Sequence, residues 1–305
     1  MRVVFMGTPD FAAKCLQALT ESHHEVIAVV TQPDRPSGRG KKLVLSPVKE
    51  YALKMGLTVL QPEKIRSADN LPPADIFVVA AYGKILPQRL LGMPKYGAIN
   101  VHASLLPKYR GASPIQQAIA NGDTVTGITI QQMDAGIDTG DMLLKREVPI
   151  DPNDTGGTLH DKLCIAAREA LTEALDLIES GTARPISQDD ALATYAPLIT
   201  KEMAHIDWRK STVEIVNMIR AYNPFPGAFT RYGEEQIKVW KGEVVETCSV
   251  DMPGKILKAC PKDGIYVAAN EGVVRLAELT PPNGKRMTAA DFVKGYRIEA
   301  GGGFL

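Results

Sequence analysis

At 305 residues the chain is long for one hydrophobic core and points to two domains, and its apolar fraction of 45% is that of an ordinary soluble globular protein. Lysine plus arginine (35) equals aspartate plus glutamate (35), so no global field recruits nucleic acid or a membrane, and any such binding has to come from local clusters. The four cysteines, Cys15, Cys164, Cys248 and Cys260, form no CxxC pair, which argues against zinc and a disulfide framework; with no basic leader or run of 18 apolar residues, a cytoplasmic protein away from membranes is expected, and a monomer is taken as the starting expectation although the sequence does not reveal the oligomeric state.

The first half alternates strand and helix signals. Residues 2–6 read as a buried strand, GTPDF turns into a helix through about Thr20, and residues 25–31 are a second apolar, β-branched run, which completes a βαβ unit. Ser46-Pro47 pairs a good N-cap with a residue suited to the first helical position, and so opens the next helix. DIFVVAA, residues 75–81, is a continuous apolar strand of the kind buried in a parallel sheet. A helix at 84–91, a strand at 98–102, a helix at 114–121, strands at 124–132 and 141–149 and a helix at about 155–180 follow. This order implies a Rossmann-like, doubly wound α/β sheet whose ligands sit beyond the carboxyl ends of its strands. Residues 181–206 mix proline, glycine and charge without a period and read as a connector. After a helix at 211–222 and the turn NPFPG, short strands at 227–232, 236–245, 254–260, 264–269 and 272–279 predict a smaller antiparallel β-barrel of the OB type. The expected division is a catalytic domain at 1–188, a linker at 189–205 and an OB-like domain at 206–305, with GGGFL as a loose tail.

Polar chemistry concentrates in residues 97–141. Side chains alternate along strand 98–102, so Asn100 and His102 project from one face and Ile99 and Val101 from the other. Thirty-six positions after His102, Asp138 sits in a loop between Gly136 and Gly140. An asparagine amide and an imidazolium can both donate to a developing oxyanion, the second through a charge-assisted bond. A carboxylate beside them could take a proton from an attacking amine and help deliver one to the leaving nitrogen. The set suits acyl or formyl transfer through a tetrahedral adduct. Taken alone, the Asn-x-His pair reads more readily as a satisfied polar cluster at a strand end, and only the surrounding residues reverse that.

Other chemistries fit less well. MGTPDFAA has one glycine where a dinucleotide fingerprint needs three, which leaves Gly7 as a tight-turn residue. Ser104 lies two positions from His102 and lacks a GxSxG elbow, against a Ser-His-Asp hydrolase. The five histidines are scattered. His23 and His24 read as a solvent-facing turn, and His160 as structural, without an acidic or cysteine neighbour at ligand spacing, so no metal is expected.

INVHASLLPKYRGASPIQ, followed by MDAGIDTGDML, resembles the signature of the folate-dependent formyltransferases, and TQPDRPSGRGKKLVLSPVK resembles the loop of the members that act on a charged tRNA. The resemblance runs from GTPDF to the barrel-like end. It implies transfer of the N10 formyl group of 10-formyltetrahydrofolate to the α-amine of methionine esterified to initiator tRNA. It also implies catalytic roles for Asn100, His102 and Asp138, a formyl-tetrahydrofolate segment at Ser104, Leu105, Leu106 and Pro107, and a pteridine pocket helped by Tyr82 and Leu86.

The loop after the second strand agrees with this on its own chemistry. Arg35, Arg39, Lys41 and Lys42 have no acidic neighbour after Asp34, and Gly38 and Gly40 free the backbone, which suits phosphates. The loop leaves the same carboxyl edge as the polar trio and could grip an acceptor stem; composition alone equally allows a solvated basic connector. Residues 206–305 are mildly basic, with 14 Lys or Arg against 12 Asp or Glu. Two alternatives are a formyltransferase for small amines, which would not need the basic loop, and an RNA-binding module, which would not need the Asn-x-His strand and Asp loop.

Overall fold

The structure, a computed structural model, describes residues 1–37, 42–65, 71–245 and 251–305. In chain order it forms β1 (Arg2–Gly7), α1 (Asp10–Glu21), β2 (Glu25–Val30), β3 (Arg35–Ser37), β4 (Lys42–Val44), α2 (Pro47–Lys54), β5 (Val59–Leu60), β6 (Ile76–Ala80) and α3 (Gln88–Leu91). Next come β7 (Ala98–His102), β8 (Arg110–Gly111), α4 (Pro114–Ala120), β9 (Val125–Gln132), β10 (Met142–Pro149), α5 (Gly156–Glu179) and β11 (Tyr195–Ala196). The remainder is α6 (Thr212–Ala221), β12 (Phe229–Tyr232), β13 (Glu235–Val245), β14 (Ile256–Cys260), β15 (Gly264–Ala269), β16 (Gly272–Thr280), β17 (Met287–Thr288) and α7 (Ala289–Gly295).

Seven strands make one sheet in the order β10-β9-β7-β6-β1-β2-β5, parallel from β7 to β5, with β9 and β10 added antiparallel. The apolar runs of β1 and β6 explain the arrangement: Val3, Val4, Phe5 and Met6 are fully buried, as are Ile76 and Val78, and strands buried on both faces need covering helices. The second sheet, β12-β13-β16-β15-β14 with β17 beside β16, is antiparallel and curls into an OB-like half-barrel. By contacts the chain divides into two compact units, one of Met1–Pro114, Val125–Pro149 and His160–Ala196, the other of Ile115–Thr124, Ile150–Leu159 and Pro197–Leu305. Among the described residues no helix is long and apolar enough to cross a membrane.

The caps follow the sequence. Ser46 Oγ accepts from the Lys49 N–H at 3.1 Å ahead of Pro47, and Ser211 and Glu214 close a full capping box on α6. Several expectations need correction. The helix expected at 84–91 is only Gln88–Leu91, because Leu86 precedes Pro87 and that position disfavours helical backbone. Gly7 is the last residue of β1, and what it supplies is close approach: a Cβ there would lie 2.6 Å from the Ala12 Cβ and 2.8 Å from the Ala80 carbonyl oxygen. His23 is exposed, but His24 is buried. β17 and α7 lie beyond the elements read from sequence, although Thr288 caps α7 by accepting from the Asp291 N–H.

The C-terminal glycine run is no loose tail. Phe304 is buried, stacks on Trp208 with ring centroids 6.0 Å apart and meets Tyr232 edge-on, while Leu305 and Arg231 exchange backbone hydrogen bonds of 2.9 and 3.0 Å. Phe304→Ala is expected to destabilise the second unit by about 3–5 kcal/mol, the usual cost of emptying a buried phenylalanine site. Urea denaturation followed by tryptophan fluorescence measures it, and a loss below about 1 kcal/mol would leave the tail without its assigned packing role.

Candidate active site

β7 ends at the carboxyl edge of the parallel sheet, and its alternation sets Asn100 and His102 on one face while Ile99 and Val101 are buried on the other. β9 pairs antiparallel with it, so that Gln131 stands opposite Asn100 and Thr129 opposite His102. The chain between β9 and β10 then doubles back and returns Asp138, in a left-handed conformation with φ of 54°, to the same face. Gly140 makes that return possible: any Cβ there would overlap the Gln132 carbonyl oxygen.

Asp138 is the hub of what results. Its Oδ1 accepts from Asn100 Nδ2 at 3.2 Å and from Gln131 Nε2 at 2.7 Å, and its Oδ2 accepts from the Gly111 N–H at 2.9 Å. His102 Nδ1 faces Oδ1 at 3.6 Å, and His102 Nε2 lies 2.9 Å from the Tyr109 carbonyl oxygen. A carbonyl can only accept, so Nε2 carries a proton and Nδ1 is the ring atom turned to the carboxylate. The His102 and Asp138 side chains are 6% and 13% exposed, a low-dielectric setting in which their polar contacts count for more than in water.

The neighbouring segment is held by the same strands. Ser104 is fully buried; its Oγ donates to the Lys108 carbonyl at 2.6 Å, and its own carbonyl accepts from Thr129 Oγ1 at 2.7 Å. The Thr129 hydroxyl also accepts from the Leu106 N–H at 3.1 Å, and Leu106 is fully buried, with Leu105 and Pro107 partly exposed. Ser104 therefore makes no bond to His102, which removes the hydrolase arrangement. Tyr82 and Leu86 lie in one apolar cluster with Val4, Met6, Leu90 and Leu91. Burial pushes the Tyr82 phenol up to about 12, and its hydroxyl has no partner among the described residues. Arg35 is exposed on the β3–β4 hairpin, opposite Val44. Arg39 and Lys41 lie outside the described residues, and Lys42 is described only as backbone of β4.

Known proteins match the chain throughout. A family described as formyl transferase matches residues 1–175, and its C-terminal domain matches residues 198–297. Over 308 aligned residues the chain is 49% identical to the methionyl-tRNA formyltransferase of Caldanaerobacter subterraneus, covering 99% of each chain. The chain belongs to the methionyl-tRNA formyltransferase family. It is also 48% identical to the Geobacter metallireducens member, over 99% of this chain and 97% of that one. Among solved structures, an N-formyltransferase from Helicobacter canadensis in complex with folinic acid and dTDP-3-aminofucose superposes with a TM-score of 0.66 at 20% identity, covering 90% of this chain and 98% of that one. At that identity the likeness speaks for the fold.

Three polar residues at the centre of this candidate site were not marked by the sequence. Gln131 depends on the register between β9 and β7. Arg110 and Gln188 meet across 78 positions, where Arg110 Nε and Nη2 donate to Gln188 Oε1 at 3.1 and 2.9 Å. Residues 186–196, read as an aperiodic connector, are in fact ordered against the site: Ile186 bridges Met142, and β11 pairs in parallel with β8.

Two groups of potential metal ligands lie elsewhere among the described residues. Contrary to the sequence reading, His160 has Cys164 one turn along α5, with sulfur 3.8 Å from the ring, and Asp10 converges on the pair. Burial pushes the Cys164 thiol up to about 12, so it is a poor nucleophile. In the other group, both His24 ring nitrogens are engaged: Nδ1 is 3.3 Å from the Met1 amino nitrogen and Nε2 3.1 Å from Asp176 Oδ1.

Proposed function

We propose that the chain transfers the formyl group of 10-formyltetrahydrofolate to the α-amine of methionyl initiator tRNA, in the cytoplasm, for translation initiation. The observation that carries this reading is the convergence of Asn100, His102 and Gln131 on the Asp138 carboxylate, in a chain that belongs to this family. Asn100 gives one N–H to Asp138 and has a second on the same nitrogen for the oxyanion of the tetrahedral adduct. His102, oriented by Tyr109, presents Nδ1 as the second donor once that atom is protonated. Asp138 takes a proton from the attacking amine and helps deliver one to N10. In balance, a carbon–nitrogen bond forms to the amine, the bond to N10 breaks, and one proton passes from the first nitrogen to the second. Gln131 Oε1 is buried and without a partner among the described residues, an acceptor suited to the N–H of that amine.

The donor is assigned to Ser104, Leu105, Leu106 and Pro107, with Tyr82 and Leu86 at the pteridine. Two features favour a flat heterocycle with polar edges: the Ser104–Pro107 backbone is fixed by Thr129, and the buried Tyr82 hydroxyl lacks a partner among the described residues. The working division is a catalytic domain at 1–188, a linker at 189–205 and an OB-like tRNA-binding domain at 206–305, the linker's first half being tied to the site as far as Ala196. Incubation with labelled formyl donor and either charged initiator tRNA or a small amine tests the assignment. Label is expected on the tRNA; label on the small amine alone overturns it.

Arg35, Arg39, Lys41 and Lys42 are assigned to acceptor-stem phosphates. Asp34, the one acidic residue beside them, is held by Lys49 and Gln61, whose hydrogen bonds keep its carboxyl below the usual range, so its charge is already matched. Each cation that neutralises a phosphate adds roughly 0.7–0.9 to the slope of log affinity against log salt. Replacing Arg39, Lys41 and Lys42 together by Ala is expected to weaken tRNA binding and flatten that slope by about two to three. An unchanged slope and affinity would leave the loop as a solvated connector.

A further inference from the structure

Asp138 occupies a backbone conformation that non-glycine residues rarely adopt, with φ of 54°. Such a conformation is strained and persists only where its surroundings hold it. Here the hold is visible. Gln188 Nε2 donates to two carbonyls of the loop, Asp138 and Gly140, each at 2.8 Å. The orientation of this amide is determined, because its oxygen faces the Arg110 guanidinium, which can only donate. Arg110 is itself buried at 3% exposure and anchored by Asp190 Oδ1 at 2.7 Å. The next residue on the same strand, Gly111, donates directly to the Asp138 carboxylate.

We propose that Gln188 is a positioning residue for formyl transfer: through it Arg110 fixes the main chain of Asp138, while Gly111 fixes the carboxylate, so that one short strand sets both ends of the residue. The inference rests on the reading of Asp138 as the proton-handling group. A misplacement of about 1 Å at a reacting group can cost on the order of 10²-fold in rate, and Gln188 supplies both side-chain hydrogen bonds that the main-chain carbonyls of this loop receive from the connector.

The test uses the full chain. Gln188→Glu keeps the acceptor for Arg110 and removes both donors to the loop, so a merely structural role predicts near-normal kinetics. The expected result is a kcat lower by about 10- to 100-fold, with KM for the formyl donor and for charged tRNA within threefold and Tm within a few degrees. If the new carboxylate prevents folding, Gln188→Met is read in its place by the same measurements. Combined with Asp138→Asn, the Gln188 change should add less than threefold to the loss, because its effect runs through Asp138. Wild-type kcat in the Gln188 variants, or a fully additive loss in the double variant, overturns the inference while leaving the catalytic trio standing. A harmless Asp138→Asn would instead remove the reading of the trio itself.

Discussion

Asp138→Asn is expected to lower the turnover number by about 10²- to 10⁴-fold, the range associated with losing a positioned acid–base group. The geometry makes this change more severe than its size suggests. Three N–H donors, from Asn100, Gln131 and Gly111, converge on two carboxylate oxygens, and a carboxamide offers only one oxygen. Whichever way it turns, an NH₂ group confronts another N–H, and the residue loses both proton acceptance and its fit to the site. Steady-state kinetics with charged initiator tRNA provide the measurement, with circular dichroism to show that the variant is folded. A kcat within threefold of wild type would remove Asp138 from the chemistry.

Asn100→Ala is expected to cost about 10²- to 10³-fold in kcat, as removal of one oxyanion donor does elsewhere, with little change in KM. The split between the two constants is informative because Asn100 also contacts Asp138. Loss of an interaction made only in the transition state appears in kcat, whereas a site that has merely loosened around its substrates raises KM as well. Equal binding and equal turnover in the Asn100 variant would leave the strand-end cluster as a structural one.

Much of the arrangement was legible because it rests on local periodicity. The apolar runs of β1 and β6 announce a buried parallel sheet, and alternation along β7 is enough to put Asn100 and His102 on one face. Gln131 was not legible, since its partnership with Asn100 depends on a register between two strands and a one-residue slip would send it to the other face. Gln188 was hidden for a related reason. Its segment has no period of its own, and its conformation is dictated by contacts with Tyr109, Arg110 and Met142 far away in sequence. His24 shows a different limit, because a His-His dipeptide reads alike whether its second ring faces water or, as here, is buried. Phe304 is the same case in reverse: a glycine-rich end carries no pattern, yet its one aromatic side chain has Trp208 and Tyr232 waiting for it.

Gly140 carries a consequence for how mutational tolerance in this chain is interpreted. It has no side chain and offers its carbonyl to Gln188, yet any replacement would collide with the Gln132 backbone and push the adjoining loop outward. A residue-by-residue tolerance map would thus score this glycine alongside Asp138, the proposed acid–base group two positions before it. Intolerance in the 133–141 hairpin marks where the backbone has no room as well as where chemistry occurs, and only the separation of protein abundance from specific activity distinguishes the two.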